Sequence, residues 1–243
     1  MAVSQIRIIR QGTIAIDGFE SPTTNVLGMK YFCGIGGGST ATFVKSDANI
    51  LVDTGFDYET NVTESNIKNN RTLLIYALKN AGLAPKDIDI LFITHWHADH
   101  FLNYEIFSDS EVIMVKEAVE RHNLDFTPVP GGKCIAQGVD ILCTPGHTID
   151  HASLVLKTDP LRYSNRTRSG GRLMGIGEVT VVIAGDAIVS PACYCLNTIW
   201  HHNQDFFSKD VGFDSMKKIC DIADYIIPGH GGIFENIKNA ECS

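Results

Sequence analysis

Short apolar runs recur along the chain, and most end on a polar or glycine-bearing turn. The runs at 6–9 and 13–16 flank Gly12 and predict a pair of strands. Further runs at 40–44, 49–52, 88–93, 111–115, 139–144, 152–157, 178–184 and 225–227 predict additional strands, several rich in valine and isoleucine. Helical periodicity is rarer. Leu73, Leu74, Ala77, Leu78 and Ala81 predict a helix over 70–81, stopped by Gly82. The stretches 116–123 and 216–223 also read as helices, and 101–107 is compatible with the start of one. Strands and helices do not alternate simply. The order is strand-rich, then a helix and a strand, then strand-rich again, then a helix and a strand. It predicts an α/β protein with two mixed sheets packed face to face and helices outside, in one domain spanning 1–243.

The densest chemistry lies in Thr94-His95-Trp96-His97-Ala98-Asp99-His100, directly after the 88–93 run. In open α/β sheets, ligands bind beyond the carboxyl ends of strands. The stretch is therefore expected on a loop or first helical turn facing solvent. A strand-to-helix turn would send His95 and His97 one way and Asp99 and His100 another, which suits two neighbouring ions. Imidazole and carboxylate are ligands for zinc and similar borderline metals. Three later strand ends repeat the pattern: His147 follows Pro145-Gly146, Asp186 follows Gly185, and His230 follows Pro228-Gly229. Glycine permits the sharp turn and close approach that this placement needs. Asp53 ends the 49–52 strand, where it could support a ligand or cap the next turn.

Composition narrows the functional classes. The net charge of −8 argues against broad, non-specific nucleic-acid binding. The chain start lacks the basic-then-apolar order of a signal peptide, and no apolar run reaches membrane-spanning length. Seven cysteines without a Cys-x-x-Cys spacing suggest free thiols in a reducing cytosol. The expected location is cytoplasmic, with no membrane partner. The glycine run 34–38 is followed by a strand, which argues against a phosphate-cradling loop. A mobile connection, or a flap carrying Tyr31 and Phe32, fits it better.

The motif His95-Trp96-His97-Ala98-Asp99-His100, with His147, Asp186 and His230 at later strand ends, closely resembles the metallo-β-lactamase superfamily. The resemblance implies a four-layer αβ/βα sandwich. It also implies that His95, His97 and His147 hold one ion, that Asp99, His100 and His230 hold a second, and that Asp186 bridges both. The implied cofactors are two divalent ions, Zn2+ first, with Mn2+ or Fe as other occupants. A bridging hydroxide would attack the carbonyl of a small ester, thioester, lactone or β-lactam-like substrate, with Asp99 orienting it. The alternative is a phosphodiesterase or ribonuclease of the same fold, so nucleic acid is the second partner class. Counting two ions, the hydroxide, Asp99 and Asp186, the centre keeps a formal charge of about +1, which favours an electron-rich or anionic substrate.

Within the superfamily, His100 and the bridging Asp186 differ from the ligand sets of true zinc β-lactamases. The helical substrate domain of glyoxalase II and the β-CASP insertion are not expected here. Quorum-quenching lactonases carry a tyrosine three residues after the bridging aspartate. Here that position is Val189, with Tyr194 nearby. The run Ile199-Trp200-His201-His202-Asn203-Gln204-Asp205 is loosely similar to a member linked to RNA cleavage. Several residues have a bland reading beside a functional one. His201 and His202 could donate a proton but fit a surface or supporting role better. His151 could orient a ligand, although a surface place is expected, as for His122. Cys193 and Cys195 read as packing residues. Arg162, Arg166, Arg168 and Arg172 could bind phosphate or simply line a solvated loop.

Overall fold

The computed structural model describes residues 3–13, 37–58, 63–158, 178–201 and 203–237. Two six-stranded sheets form its centre. The first contains β1 (Gln5–Arg10), β3 (Ala41–Lys45), β4 (Asn49–Val52), β6 (Ile90–Phe92), β7 (Glu111–Val115) and β8 (Thr127–Val129), in that order. β1, β3 and β4 are antiparallel neighbours, and β4, β6, β7 and β8 run parallel. The second sheet runs from β14 (Phe234–Glu235) through β13 (Tyr225–Pro228), β12 (Val179–Gly185), β11 (Ala152–Thr158) and β10 (Val139–Cys143) to β9 (Cys134–Ala136). Only its β12–β13 pair is parallel. A small extra ladder joins β2 (Gly37–Gly38) to β5 (Asp57–Tyr58).

Side-chain alternation assigns the layers. Leu154, Leu156, Val181 and Ile183 share one apolar cluster with Phe43, Leu51, Leu91 and Ile113 of the first sheet. The residues between them, Val155, Val182 and Ala184, pack instead with Met216, Ile219 and Cys220. This is the period-two signature of strands buried on both faces. Helix α1 (Glu64–Asn80) adds Leu74 and Leu78 to the first cluster. The result is the helix–sheet–sheet–helix sandwich that the sequence predicted. The sheets are also tied by backbone. Val3 N donates to Lys157 O at 3.0 Å beside a Val3–Thr158 bridge, and Ala152 N donates to Thr94 O at 3.0 Å. No helix among the described residues is long and apolar enough to cross a membrane.

Several element boundaries differ from the sequence reading. α1 begins at Glu64, well before residue 70, because Thr63 caps it by accepting the Asn66 N–H. Its first turns are polar and carry no apolar period to be read. Two short helices, α2 (Ala98–Phe101) and α3 (Lys116–His122), follow β6 and β7, and α2 replaces the longer helix start read over 101–107. α4 (Pro191–Cys195) was not legible in the pattern. α5 (Lys209–Ile222) starts ahead of residue 216, with Ser208 as its cap. Pro128 falls in β8, an edge strand, where a missing N–H is tolerated, although 128–132 reads as a loop. Gly37 and Gly38 belong to a ladder and not to a loose connection. The 14–16 part of the second expected strand, the 17–36 loop and the 159–177 excursion lie outside the described residues.

Candidate metal centre

Each candidate side chain is placed by a turn at a strand end. After β6, the chain bends through 94–96, is extended at His97 (φ −107°, ψ 143°) and then enters the single turn of α2. His95 and His97 therefore precede the change of direction, and Asp99 and His100 follow it. Ser39 Oγ and Phe56 N both donate to Asp99 O, and Thr54 N and Oγ1 donate to His100 O, which fixes that turn from the first sheet. After β12, Gly185 adopts φ +52°, and a Cβ there would meet His151 Nε2 at 2.8 Å. A Cβ on Gly229, beside His230, would lie 1.8 Å from Asp186 Oδ1. Glycine at 185 leaves room for the His151 ring, and glycine at 229 lets the backbone meet the Asp186 carboxylate.

All seven predicted residues converge, and they do so in two groups. His95, His97, His147 and Asp186 form the first; Asp99, His100 and His230 form the second. In the first, His97 Nδ1 is 2.9 Å from His95 Nε2 and 3.0 Å from His147 Nε2. Asp186 Oδ2 completes it, 3.3 Å from His147 Nε2 and 3.9 Å from His95 Nε2. In the second, Asp99 Oδ2 lies 3.3 Å from His230 Nε2 and 3.6 Å from His100 Nε2. Asp186 Oδ1 lies 3.4 Å from His100 Nε2 and 3.5 Å from His230 Nε2. Asp186 thus directs one oxygen to each group. Ligand atoms about 2.0–2.1 Å from a tetrahedral zinc are separated by about 3.3 Å, which matches these spacings. Asp99 Oδ1 and Oδ2, Asp186 Oδ1 and Oδ2, His100 Nε2 and His230 Nε2 are buried without a hydrogen-bond partner. Such orphaned donors and acceptors are costly unless something binds them, and divalent cations fit this set.

The two groups differ electrostatically. Burial, then His100 and His97, push the His95 pKa well below the ordinary histidine value. Burial also lowers His147, against the pull of Asp186. These are neutral imidazoles with available lone pairs. Burial opposes charge on His100, but Asp99, Asp53 and Asp186 outweigh it and raise its pKa well above the ordinary value. His230 behaves alike: Asp186 and Asp99 overcome burial and push it up to about 10. Burial likewise opposes ionisation of Asp186, but His100, His230 and His147 hold its carboxyl well below the usual range. In the absence of cations, protons on His100 and His230 neutralise the carboxylates.

A surrounding set of contacts orients the rings. Asp53 Oδ2 is 2.8 Å from His100 Nδ1 and is itself held by Thr94 N and Oγ1. Asp53 sits at φ +56°, a strained conformation for this residue. His230 Nδ1 donates to Thr13 O at 2.9 Å. Asp205 Oδ1 and Oδ2 lie 2.9 and 3.1 Å from His97 Nε2. Partial burial opposes the Asp205 charge, but the bond from His97 and the one from Asn203 hold its carboxyl below the usual carboxylate range.

Other expectations need correction. The 94–100 stretch does not face solvent; its ligating residues are buried because the two sheets close over them. His151 is buried, not superficial: its Nδ1 meets Thr144 Oγ1 at 2.9 Å, its ring lies 4.9 Å from that of His95, and burial pushes its pKa down to about 3. His122 is half-buried against Asp150 Oδ2 at 3.2 Å. Of the 193–195 run only Tyr194 packs fully inside, and its hydroxyl donates to Asn236 Oδ1 at 2.7 Å. Cys193 is half-buried and Cys195 exposed. His201 is exposed and belongs to neither group. His202, Arg162, Arg166, Arg168, Arg172, Tyr31 and Phe32 lie outside the described residues. Sequence reasoning gave no role to Asn203 or Asp205. They occupy an irregular segment with no period to signal a contact more than a hundred positions away in the chain.

Comparison with known proteins agrees with this geometry. The family model described as the metallo-beta-lactamase superfamily matches residues 34–123, which include the 94–100 motif. Metallo-beta-lactamase domain-containing protein 1 of Xenopus laevis is 29% identical over 211 residues, covering 83% of this chain and 74% of the relative. An N-acyl homoserine lactonase of Bacillus cereus is 23% identical, covering 65% of this chain and 72% of that protein. Among solved structures, a quorum-quenching N-acyl homoserine lactone lactonase aligns with a TM-score of 0.62 at 19% identity, over 95% of this chain and 93% of that one. A dizinc quorum-quenching lactonase aligns with a TM-score of 0.55 at 15% identity, over 81% and 74%. The motif found by the family model and the later strand ends that join it in space lead to one conclusion: the chain is similar to the metallo-β-lactamase superfamily in its fold and in its clustered histidines and aspartates.

Proposed function

We propose that the chain is a hydrolase of that superfamily and uses two divalent ions, Zn2+ ahead of Mn2+ or Fe, to open the neutral carbonyl of a small ester, thioester, lactone or β-lactam-like substrate. The observation that carries the binuclear reading is Asp186, whose two oxygens face two separate ligand groups. In this reading His95, His97 and His147 hold one ion, Asp99, His100 and His230 hold the other, and Asp186 serves both. Ions held there would bring the pKa of bound water into the neutral range and polarise the substrate carbonyl. Asp99 presents Oδ2 to His100 and His230 and keeps Oδ1 without a partner. That second oxygen is available to orient the attacking water and take its proton. Asp53 and Asp205 keep His100 and His97 aimed inward.

The charge balance supports a neutral substrate over an anionic one. Asp53 and Asp205 each touch a ligand imidazole and add two negative charges to the centre. The formal charge moves from about +1 to about −1, which weakens the attraction for a phosphodiester. The relative named as an N-acyl homoserine lactonase supports the same carbonyl class. A cytoplasmic setting is consistent with Cys134, Cys143, Cys193, Cys195 and Cys220 all being free thiols.

Metal analysis of the purified protein combined with a substrate panel tests this reading. The expected outcome is about two divalent ions per chain. Turnover of a lactone or thioester should disappear on chelation and return on adding metal. Metal-dependent cleavage of a model phosphodiester or single-stranded RNA, with no carbonyl substrate turned over, would instead establish the nuclease alternative.

A further inference from the structure

Among the described imidazoles of the first group, His97 faces the shared centre through Nδ1, whereas His95 and His147 do so through Nε2. Its remaining nitrogen points outward to Asp205, and both carboxylate oxygens lie within hydrogen-bond reach of it. A carboxylate accepts only, so the proton on His97 is fixed at Nε2 and the Nδ1 lone pair is kept for a cation. Asn203 extends the contact. Its Nδ2 donates to Asp205 Oδ1 at 2.9 Å and to His147 O at 2.9 Å, joining two members of the same group. The segment is anchored just beyond, where Phe207 N and Ser208 N both donate to Gly146 O at 3.2 Å.

We infer that Asp205, steadied by Asn203, is the positioning residue of the first metal group and sets that group's affinity separately from the second. This inference rests on the ligand assignment proposed above. The second group has its own counterpart in Asp53, which touches His100 and not His97. The two carboxylates differ in setting. Asp53 is buried, whereas half of the Asp205 side chain is exposed. Removing the Asp205 charge therefore leaves the apolar core intact and acts on the electrostatics and tautomer of His97 and on the contact from Asn203.

The test is an equilibrium zinc titration of the full metal-free chain against a chromophoric chelator, for wild type, Asp205→Asn and Asn203→Ala. Loss of an outer carboxylate from a metal-binding histidine weakens affinity by about 10–100-fold. Asp205→Asn is expected to weaken one of the two binding steps by about that factor and leave the other unchanged. The cobalt-substituted variant should show an altered visible spectrum for one site only, and Asn203→Ala should shift the same step less. The melting temperature of the metal-free Asp205→Asn protein should fall only slightly, because half of that side chain is exposed and its contact with His97 is screened. Two unchanged steps would overturn the inference. So would equal weakening of both steps with a strongly lowered melting temperature, which marks a purely structural role. A wild type that binds two ions, beside an unaltered Asp205→Asn, removes this inference alone. A wild type that binds none removes the proposed function as well.

Discussion

Gly229 and Asp186 are pressed together so closely that a methyl group at 229 would collide with Asp186 Oδ1. Gly229→Ala is expected to displace the carboxylate shared by both groups and abolish binding of both ions, measurable by metal analysis after dialysis. Asp99→Asn makes a smaller change at the same depth. It should lower the metal-free melting temperature, because Asp99 balances the protons on His100 and His230, and lower kcat of the metal-loaded protein by about 10²–10⁴-fold, the range for loss of a positioned acid–base group. Unchanged turnover in a fully metallated Asp99→Asn protein would reject the role given to Asp99. Protonation at these residues also sets the pH response. His100 and His230 have raised pKa values in the metal-free fold, so the stability they add is complete below about 6.5. It is lost as pH rises, for His230 through about 10. His95, His147 and His151 have lowered values, so their contribution holds above about 6.5 and fades as pH falls. Metal-free melting temperature plotted against pH should therefore peak near neutrality. Cations must displace the protons on His100 and His230, so zinc loading near pH 7 should release protons to an indicator dye.

Elements were legible in the sequence to the extent that their signals are local. The repeated order of apolar run, tight turn and ligand identified the ends of β6, β10, β12 and β13 because strand alternation and glycine turns are written in neighbouring residues. The same local signal marked Asp53 as worth attention, though not its contact with His100. Helix starts were harder. The first turns of α1 are polar, those of α5 carry Gly212 between Val211 and Phe213, and they are held by Thr63 and Ser208; a cap is one residue, not a pattern. Thr63→Ala should destabilise the protein by about 1 kcal/mol, read as a lower urea midpoint with an unchanged slope. The least legible part was the segment between α4 and α5. Asn203 and Asp205 have no periodicity, and their partners His147 and His97 become neighbours only when the second sheet packs on the first. Their place depends on Gly146 and Gly212, where a Cβ on Gly146 would lie 2.3 Å from Gly212 Cα.

Across the whole molecule, the candidate centre lies on the seam between the sheets. His95, His97, Asp99 and His100 follow β6 of the first sheet, whereas His147, Asp186 and His230 follow β10, β12 and β13 of the second. Cations bound there would connect the two halves of the sandwich and favour the folded state by mass action. A free ion at a hundred times its dissociation constant adds about 2.7 kcal/mol per site. Melting temperature should accordingly rise with zinc and fall with chelator.

The backbone ties described for β11 give that seam a mechanical polarity. Val3 grips the far end of β11 at Lys157 and Thr158, while Ala152 at the near end meets Thr94 beside the ligands. The sandwich then behaves like a book with a spine of peptide hydrogen bonds and a clasp of imidazoles and carboxylates. Releasing the clasp should let the pages part from one end only. Hydrogen–deuterium exchange after chelation should quicken at 94–100 and around 147–152, while the amides of Val3 and its neighbours in β1 keep the protection they had with metal bound.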